Sequence, residues 1–419
     1  MSEKREIPGM WWLPTDPNDR WVGTLTLQPN QSPHLSVTAP VNFLDVKSKK
    51  ARIIHGHNEG GIPITLLFSC PPRVSQSQAM GQMDLSAGYA VLGIHLDDAA
   101  DFNVHTLMLK IQHLYEWSGI SGFVKDTVRQ PGEIHIRHCR PNDQSFVIDS
   151  DLSLELKAAW SSSDKGYKKS IEESVSLAFQ SALGLNLVRS KELLTAVRHL
   201  LHFASMETVW PVKIVAHKTG YGKTYGEHFV LHDIELWSPN IGEYVKSPTW
   251  DQHWVFQLKD VQADFGGFFE KWLQFLKDYA EPMGCYFTTI YHKLPYEVEH
   301  LCLTQAFDAY HGIKFVSHQN RDFEEKIKEL AETHKASLNG LVDDAADFAT
   351  TVLHNRNYYT HHNPVWKERG RVLIGTDLFR LNEKLLLLFQ MCVLSDMGIP
   401  RDRFVRLRRQ VATEIVEFI

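Results

Sequence analysis

Cysteine is scarce and scattered in this chain. Five residues, Cys70, Cys139, Cys285, Cys302 and Cys392, are spread over 419 positions with no CxxC pair among them. That excludes a disulfide-framework fold and a cysteine-based zinc site, and it fits a reducing compartment. Long apolar runs are also missing. The longest lies within Leu385–Leu394 and is interrupted by Gln390. It falls far short of the roughly 18 residues that a membrane-spanning helix needs. The opening MSEKREIPGMWW carries charge but no apolar stretch of the kind a secretory signal requires. A cytoplasmic protein with no membrane partner is the expectation. Positive charge is not in excess either, since 44 Lys and Arg face 50 Asp and Glu for a formal net charge of −6. A globally basic nucleic-acid binder is thereby excluded, whereas a local basic groove is not.

What is present is ordinary globular material, 43% hydrophobic and 22% charged, which rules out disorder as the main state. The length points to more than one domain. Short β-prone runs fill the first part: Val22–Leu27, His34–Thr38, Ile62–Leu67 and Tyr89–Leu96, punctuated by Pro and Gly as in a sandwich or barrel. The spacing of Leu107, Ile111, Leu114 and Tyr115 predicts a helix there, and the polar stretch Ser161–Lys169 reads as a linker or long loop. Helical stripes follow at Leu193–Ala204 and Phe268–Leu276, with a hairpin between them formed by Pro211–His217 and His228–Leu236. Beyond about residue 297 the pattern becomes helices with short breaks: Leu301–Tyr310, Asp322–Lys335, Leu341–Arg356, Asp377–Asp396 and Phe404–Phe418. The fold class expected is α+β. A β-rich N-terminal module with helical inserts spans residues 1–295, and an all-α helical bundle spans 296–419.

The segment that carries chemistry is Leu353-His-Asn-Arg-Asn-Tyr-Tyr-Thr-His-His-Asn-Pro364. Val342, Ala345, Ala349 and Val352 recur at three- and four-residue steps and share a packed helix face. Arg356 is the next member of that series, so a guanidinium ends an apolar stripe at a helix C-terminus, where a cation is stabilised. Five residues further on, His361 would lie about 140° around an unbroken helix. A helix ending or bending near Tyr359–Asn363, ahead of Pro364, could bring it back beside Arg356. An Arg, the adjacent amide of Asn357 and a His suit RNA cleavage by the ribose 2′-OH, because the substrate supplies its own nucleophile. Imidazole moves protons near neutrality and guanidinium grips non-bridging phosphate oxygens. No metal or other cofactor is required, and a 2′,3′-cyclic phosphate and a 5′-OH are the products expected.

Arg356-Asn-Tyr-Tyr-Thr-His361 resembles the Arg-X4–6-His motif of HEPN ribonucleases, in its Arg-Asn-X3-His form. Leu301–Tyr310 is similar to the opening L-x-Q-A-x-E helix of ApeA-like HEPN domains, with Asp308 at the acidic position. The N-terminal part resembles the ApeA N-terminal domain through Gly9-Met-Trp-Trp-Leu-Pro14, Gly23-Thr-Leu25, Gly56-His-Asn-Glu-Gly-Gly61 and Thr65-Leu66. This resemblance, which spans nearly the whole chain, implies an antiphage abortive-infection protein. Its N-terminal region would sense or gate in response to a phage-derived trigger. Its HEPN domain would form a homodimer and cut RNA, with tRNA the expected target. Arg356 would hold phosphate, His361 would act as acid or base, and Asn357 would orient one of them. His362 also meets the looser spacing and rivals His361. The alternative is a HEPN module that binds RNA or nucleotide, or regulates a partner, without cutting.

Other features are weighed against plainer readings. Residues 297–355 hold 5 Lys/Arg and 11 Asp/Glu, while residues 356–409 hold 11 and 5. The excess comes mainly from Arg401, Arg403, Arg406, Arg408 and Arg409, which could track an RNA backbone or form a solvated face. Tyr358 and Tyr359 could stack on bases or pack. Leu385–Phe389 is apolar all round, for a core or for a core and a second subunit. Asp343 and Asp347, in or near a first helical turn, read as surface acids rather than Mg²⁺ ligands. His354, His361 and His362 lack a zinc-binding spacing. Gly222-Lys-Thr224 lacks the earlier glycine of a phosphate loop, His217 standing in its place, and reads as a hairpin turn.

Overall fold

The structure is a computed structural model describing residues 4–38, 52–68, 75–76, 82–124, 129–130, 133–134, 137–166, 169–226, 228–242, 254–318, 321–362, 364–368, 370–405 and 407. Two compact units emerge, residues 1–199 with 209–249, and residues 200–208 with 250–419. No described helix is long and apolar enough to cross a membrane.

The first unit is built on a 14-stranded sheet in which every pairing is antiparallel. Its spatial order is Gln144–Val147, Leu152–Asp164, Lys169–Asn186, Asn103–Ile111, Pro211–His217, Ile234–Trp237, Tyr89–Leu92, Pro63–Leu67, Ile53–Asn58, Arg5–Leu13, Asp16–Leu27, His34–Thr38, Gln82–Ser86 and Ser75–Gln76. Among the described residues the β-rich module is therefore one large antiparallel sheet together with three separate two-stranded ladders. Alternation places Leu152, Leu154, Leu156 and Ala158 inside, with Ser153, Glu155 and Lys157 between them on the other face.

Two expectations fail here, each for a clear reason. Residues 107–111 are strand, because Leu107, Leu109 and Ile111 form a buried period-two set that overrides the four-residue step from Leu107 to Ile111. The helix there, α1 (Leu114–Ser118), starts only afterwards. Ser161–Lys169 is not a linker but the tip of the longest hairpin, where Leu152–Asp164 pairs with Lys169–Asn186 from Leu152↔Ser181 to Asp164↔Lys169.

The quoted N-terminal motif residues have packing duties. Trp11 is fully buried and its Nε1–H donates to Gly23 O at 3.2 Å. A Cβ on Gly56 would sit 2.3 Å from the Trp11 ring, so only glycine lets that strand pass beneath the indole. Helix α2 (Leu187–Ser205) begins within this unit.

The second unit is helical. It contains α3 (Leu258–Val261), α4 (Phe265–Asp278), α5 (Ala280–Tyr291), α6 (Tyr296–Lys314), α7 (Phe323–Thr333), α8 (Lys335–Leu338), α9 (Ala345–His361), α10 (Pro364–Glu368) and α11 (Thr376–Asp396). The run Leu385–Leu394 on α11 is buried throughout within one copy of the chain, so its all-round apolarity is accounted for by the protomer's own core. Asp344 caps α9, accepting from Ala346 N at 2.7 Å and Asp347 N at 3.1 Å. The expected helix Phe404–Phe418 lies largely outside the described residues.

Candidate functional site

Helix α9 carries the site, and its stripe works as the periodicity suggests. Ala349 and Val352 are fully buried, and Arg356 continues their face as a half-buried side chain. Its guanidinium lies over the ring of Phe323, at the start of α7, with Cζ 4.6 Å from the centroid. Its Nη2 stands 3.8 Å from Asp308 Oδ2 on α6, while Lys326 Nζ donates to Asp308 Oδ1 at 2.7 Å. Two cations thus share one carboxylate, and the three groups together keep one positive charge. At this distance and exposure the Arg356–Asp308 attraction is worth no more than about 1 kcal/mol. It aims the guanidinium without consuming its capacity for an anion. Asp308 therefore has a physical task at the acidic position of the first-helix motif, whose Leu303 and Ala306 are core residues.

His361 occupies the last turn of α9 and is exposed. The helix runs unbroken from Arg356 to His361, so the two residues are separated by about 140° around the axis and ~7.5 Å along it. The end of the helix comes one residue too late to fold His361 back, and a single chain does not set the pair side by side. His362 forms the C-cap in a left-handed conformation (φ 49°), with its N–H donating to Tyr358 O at 2.6 Å. Its ring stands edge-on to Tyr358, centroids 5.9 Å apart. Asn357 and Tyr358 are half-buried on the same turns.

Tyr359 differs from its neighbour. It is buried, its ring lies 6.3 Å from that of His300, its hydroxyl donates to Leu373 O, and burial pushes that hydroxyl up to about 12. That is a packing role, and it leaves no ring face open to a base. Sequence reasoning passed over its partner in this work, Asn355, which is fully buried. Asn355 Nδ2 donates to Thr351 O (2.8 Å) and Arg371 O (3.0 Å), and its Oδ1 accepts from Leu373 N (2.8 Å). Asn355 and Tyr359 fasten residues 371–373 to the helix on either side of Arg356. The available signal was an amide inside an otherwise apolar helix face. Beneath them His300 Nδ1–H donates to Asn382 Oδ1 at 2.9 Å, and burial drives this imidazole down to about 4.

The remaining candidates are dispersed. Arg401 is exposed, whereas Arg403 donates to Asp260 Oδ1 at 2.8 Å. Arg406, Arg408 and Arg409 lie outside the described residues. Asp347 pairs with Arg371 at 2.7 Å, and no group of three or more His, Cys, Asp or Glu among the described residues is placed to hold a metal. His354 packs edge-on against Trp366. Gly222–Tyr225 is neither a phosphate loop nor the turn expected of it, but a strand that pairs with His228–Leu231 in a small hairpin of its own.

Two family profiles match this chain. One, described as ApeA N-terminal domain 1, covers residues 6–272. The chain belongs to the ApeA family. The second, described as Apea-like HEPN, covers residues 297–403 and so contains α6, α7, α9 and the Arg356–His362 segment. No curated protein and no solved structure matches the chain. Membership in the ApeA family places the chain with defence-related proteins of RNase type. HEPN domains generally act on RNA as ribonucleases and often dimerise.

Proposed function

We propose that this ApeA-family chain is a metal-independent endoribonuclease of an antiphage abortive-infection system, with tRNA as its expected substrate. Residues 296–419 are the nuclease, and residues 1–295 restrain it until a phage-derived trigger is sensed. In the reaction the ribose 2′-OH gives up its proton as its oxygen bonds to the adjacent phosphorus. The bond from phosphorus to the 5′-oxygen breaks, and that oxygen takes up a proton. His361 or His362 handles these protons, Arg356 binds the non-bridging oxygens, and Asn357 orients one of them. Tyr358 is positioned to meet a base, and Arg401 heads the basic strip.

The observation that carries this reading is the Arg356 guanidinium, aimed by Asp308 and Phe323 and left with spare charge, two helical turns or less from two exposed imidazoles. Because about 140° separates Arg356 from His361 on one helix, the reading requires a homodimer in which the pair is completed between copies. The same separation favours the alternative, a non-catalytic HEPN module binding RNA or nucleotide, if the chain acts alone. Incubation of activated protein with tRNA in EDTA decides between them. Fragments ending in a 2′,3′-cyclic phosphate and a 5′-OH support the nuclease. Intact RNA, bound equally well by wild type and by Arg356→Ala, supports the module.

A further inference from the structure

The glycine-rich segment that is not a phosphate loop forms a hairpin with unusual exposure. Gly222–Tyr225 pairs with His228–Leu231 as a separate two-stranded ladder, and every residue except Gly222 is exposed. Tyr225, Phe229, Val230 and Leu231 are exposed by 57, 50, 52 and 39% respectively, a density of open apolar and aromatic surface that globular chains ordinarily cover. The base is well held. Tyr221 OH donates to Gly93 O at 2.5 Å, the Tyr221 ring meets that of His232, and His217 Nε2–H donates to Asp233 Oδ1 at 2.8 Å. A Cβ on Gly222 would meet Val230 O at 2.2 Å, so the glycine is what lets the two strands close.

Register sorts the side chains. Opposed residues share a face in an antiparallel pair. One face therefore carries Lys223, Val230, Tyr225 and His228, and the other carries Thr224, Phe229 and Leu231. On the first face Lys223 Nζ lies 5.5 Å from the centre of the Tyr225 ring. Across residues 217–233 the sequence holds Lys218 and Lys223 with Glu227 and Asp233, so Lys223, beside the Tyr225 ring, is the cation of this face that a phosphate would meet. An open ring with a lysine beside it offers an unpaired polynucleotide strand a surface on which a base can stack and a charge for the adjoining phosphate.

We propose that this hairpin is a binding arm for single-stranded RNA, distinct from the Arg356 site. The choice of RNA over DNA rests on the nuclease reading, and the arm itself does not. The test uses wild-type full-length protein and a fluorescein-labelled single-stranded 2′-O-methyl uridine 20-mer, which cannot undergo 2′-OH attack. A failure of the nuclease reading therefore leaves this measurement intact. Fluorescence anisotropy should show Tyr225→Ala/Phe229→Ala binding about ten-fold or more weaker, with Tyr225→Trp retaining affinity. Lys223→Ala should flatten the dependence of log affinity on log salt by about 0.7. All of these side chains are exposed, so thermal unfolding should be unchanged. Unaltered affinity and salt slope in both variants would overturn the proposal. So would displacement of the labelled strand by single-stranded DNA as readily as by RNA.

Discussion

The two regions that carry the motif residues singled out in the sequence use them in opposite ways. In the first unit Trp11 is fully buried, and Gly23 and Gly56 are small so that neighbouring strands and the indole can meet. In the second unit Arg356 is half-buried and His361 is exposed. Motif residues that fill space report architecture. Polar motif residues that the core does not need report chemistry.

The strongest way to break this contrast is to delete the polar pair. Arg356→Ala and His361→Ala should each lower RNA cleavage by roughly 10²- to 10⁴-fold, with thermal unfolding almost unchanged. A comparable loss of stability would move both residues into the packing class. His362→Ala in the same assay shows which imidazole carries the protons.

Acid should separate the units next. Burial holds His202, His300 and His334 in the second unit down at about 4. They are neutral when folded, but the unfolded chain takes up protons below its ordinary value of about 6.5. Their contribution is therefore complete above that pH and is lost as pH falls from about 6.5 towards 4, by at most on the order of 3 kcal/mol per histidine. Calorimetry between pH 7 and 4.5 should show the helical unit's transition falling steeply. His300→Gln should blunt the slope. A pH-independent transition would contradict the assigned burial.

Gly56→Ala probes the other side of the comparison. The added methyl collides with the Trp11 ring and should cost about 1–3 kcal/mol, read as a lower melting temperature of the sheet unit. Nuclease chemistry at Arg356 should be unaffected in the folded fraction. The smallest effect belongs to Asp308→Asn. Loss of the shared carboxylate should disorder Arg356 and reduce turnover several-fold, while the amide oxygen introduced there can still accept from Nζ of the buried Lys326, which limits the loss of stability. Asp308→Glu should retain most turnover, and equal turnover in both variants would remove Asp308 from any positioning role.

Much of this was legible in the residues. The helical series after residue 297, the buried stripe on α9 and the β-rich first unit follow from periods of 3.6 and 2.0. Residues 107–111 misled because Leu107 and Ile111 satisfy both periods, and only the pairing partners on either side decide for a strand. The polar Ser161–Lys169 segment looked like a boundary because a hairpin tip and a linker share a composition. At the site, the Arg–His spacing was readable, but the directions of the two side chains were not. They depend on where α9 stops, and a left-handed residue at His362, one position beyond the decisive turn, sets that stop. Asn355 was invisible because its partners, Arg371 and Leu373, sit in a loop that periodicity does not address.

In the proposed nuclease an Arg356 and a His361 brought from two copies of α9 act on one phosphodiester. Mixing inactive Arg356→Ala protein with inactive His361→Ala protein, followed by subunit exchange and an RNA cleavage assay, tests it directly. Each mixed dimer then holds one groove with an intact guanidinium from one copy and an intact imidazole from the other. The account predicts that cleavage returns to a substantial fraction of the wild-type rate. A mixture that exchanges subunits and remains as inactive as either parent would contradict it.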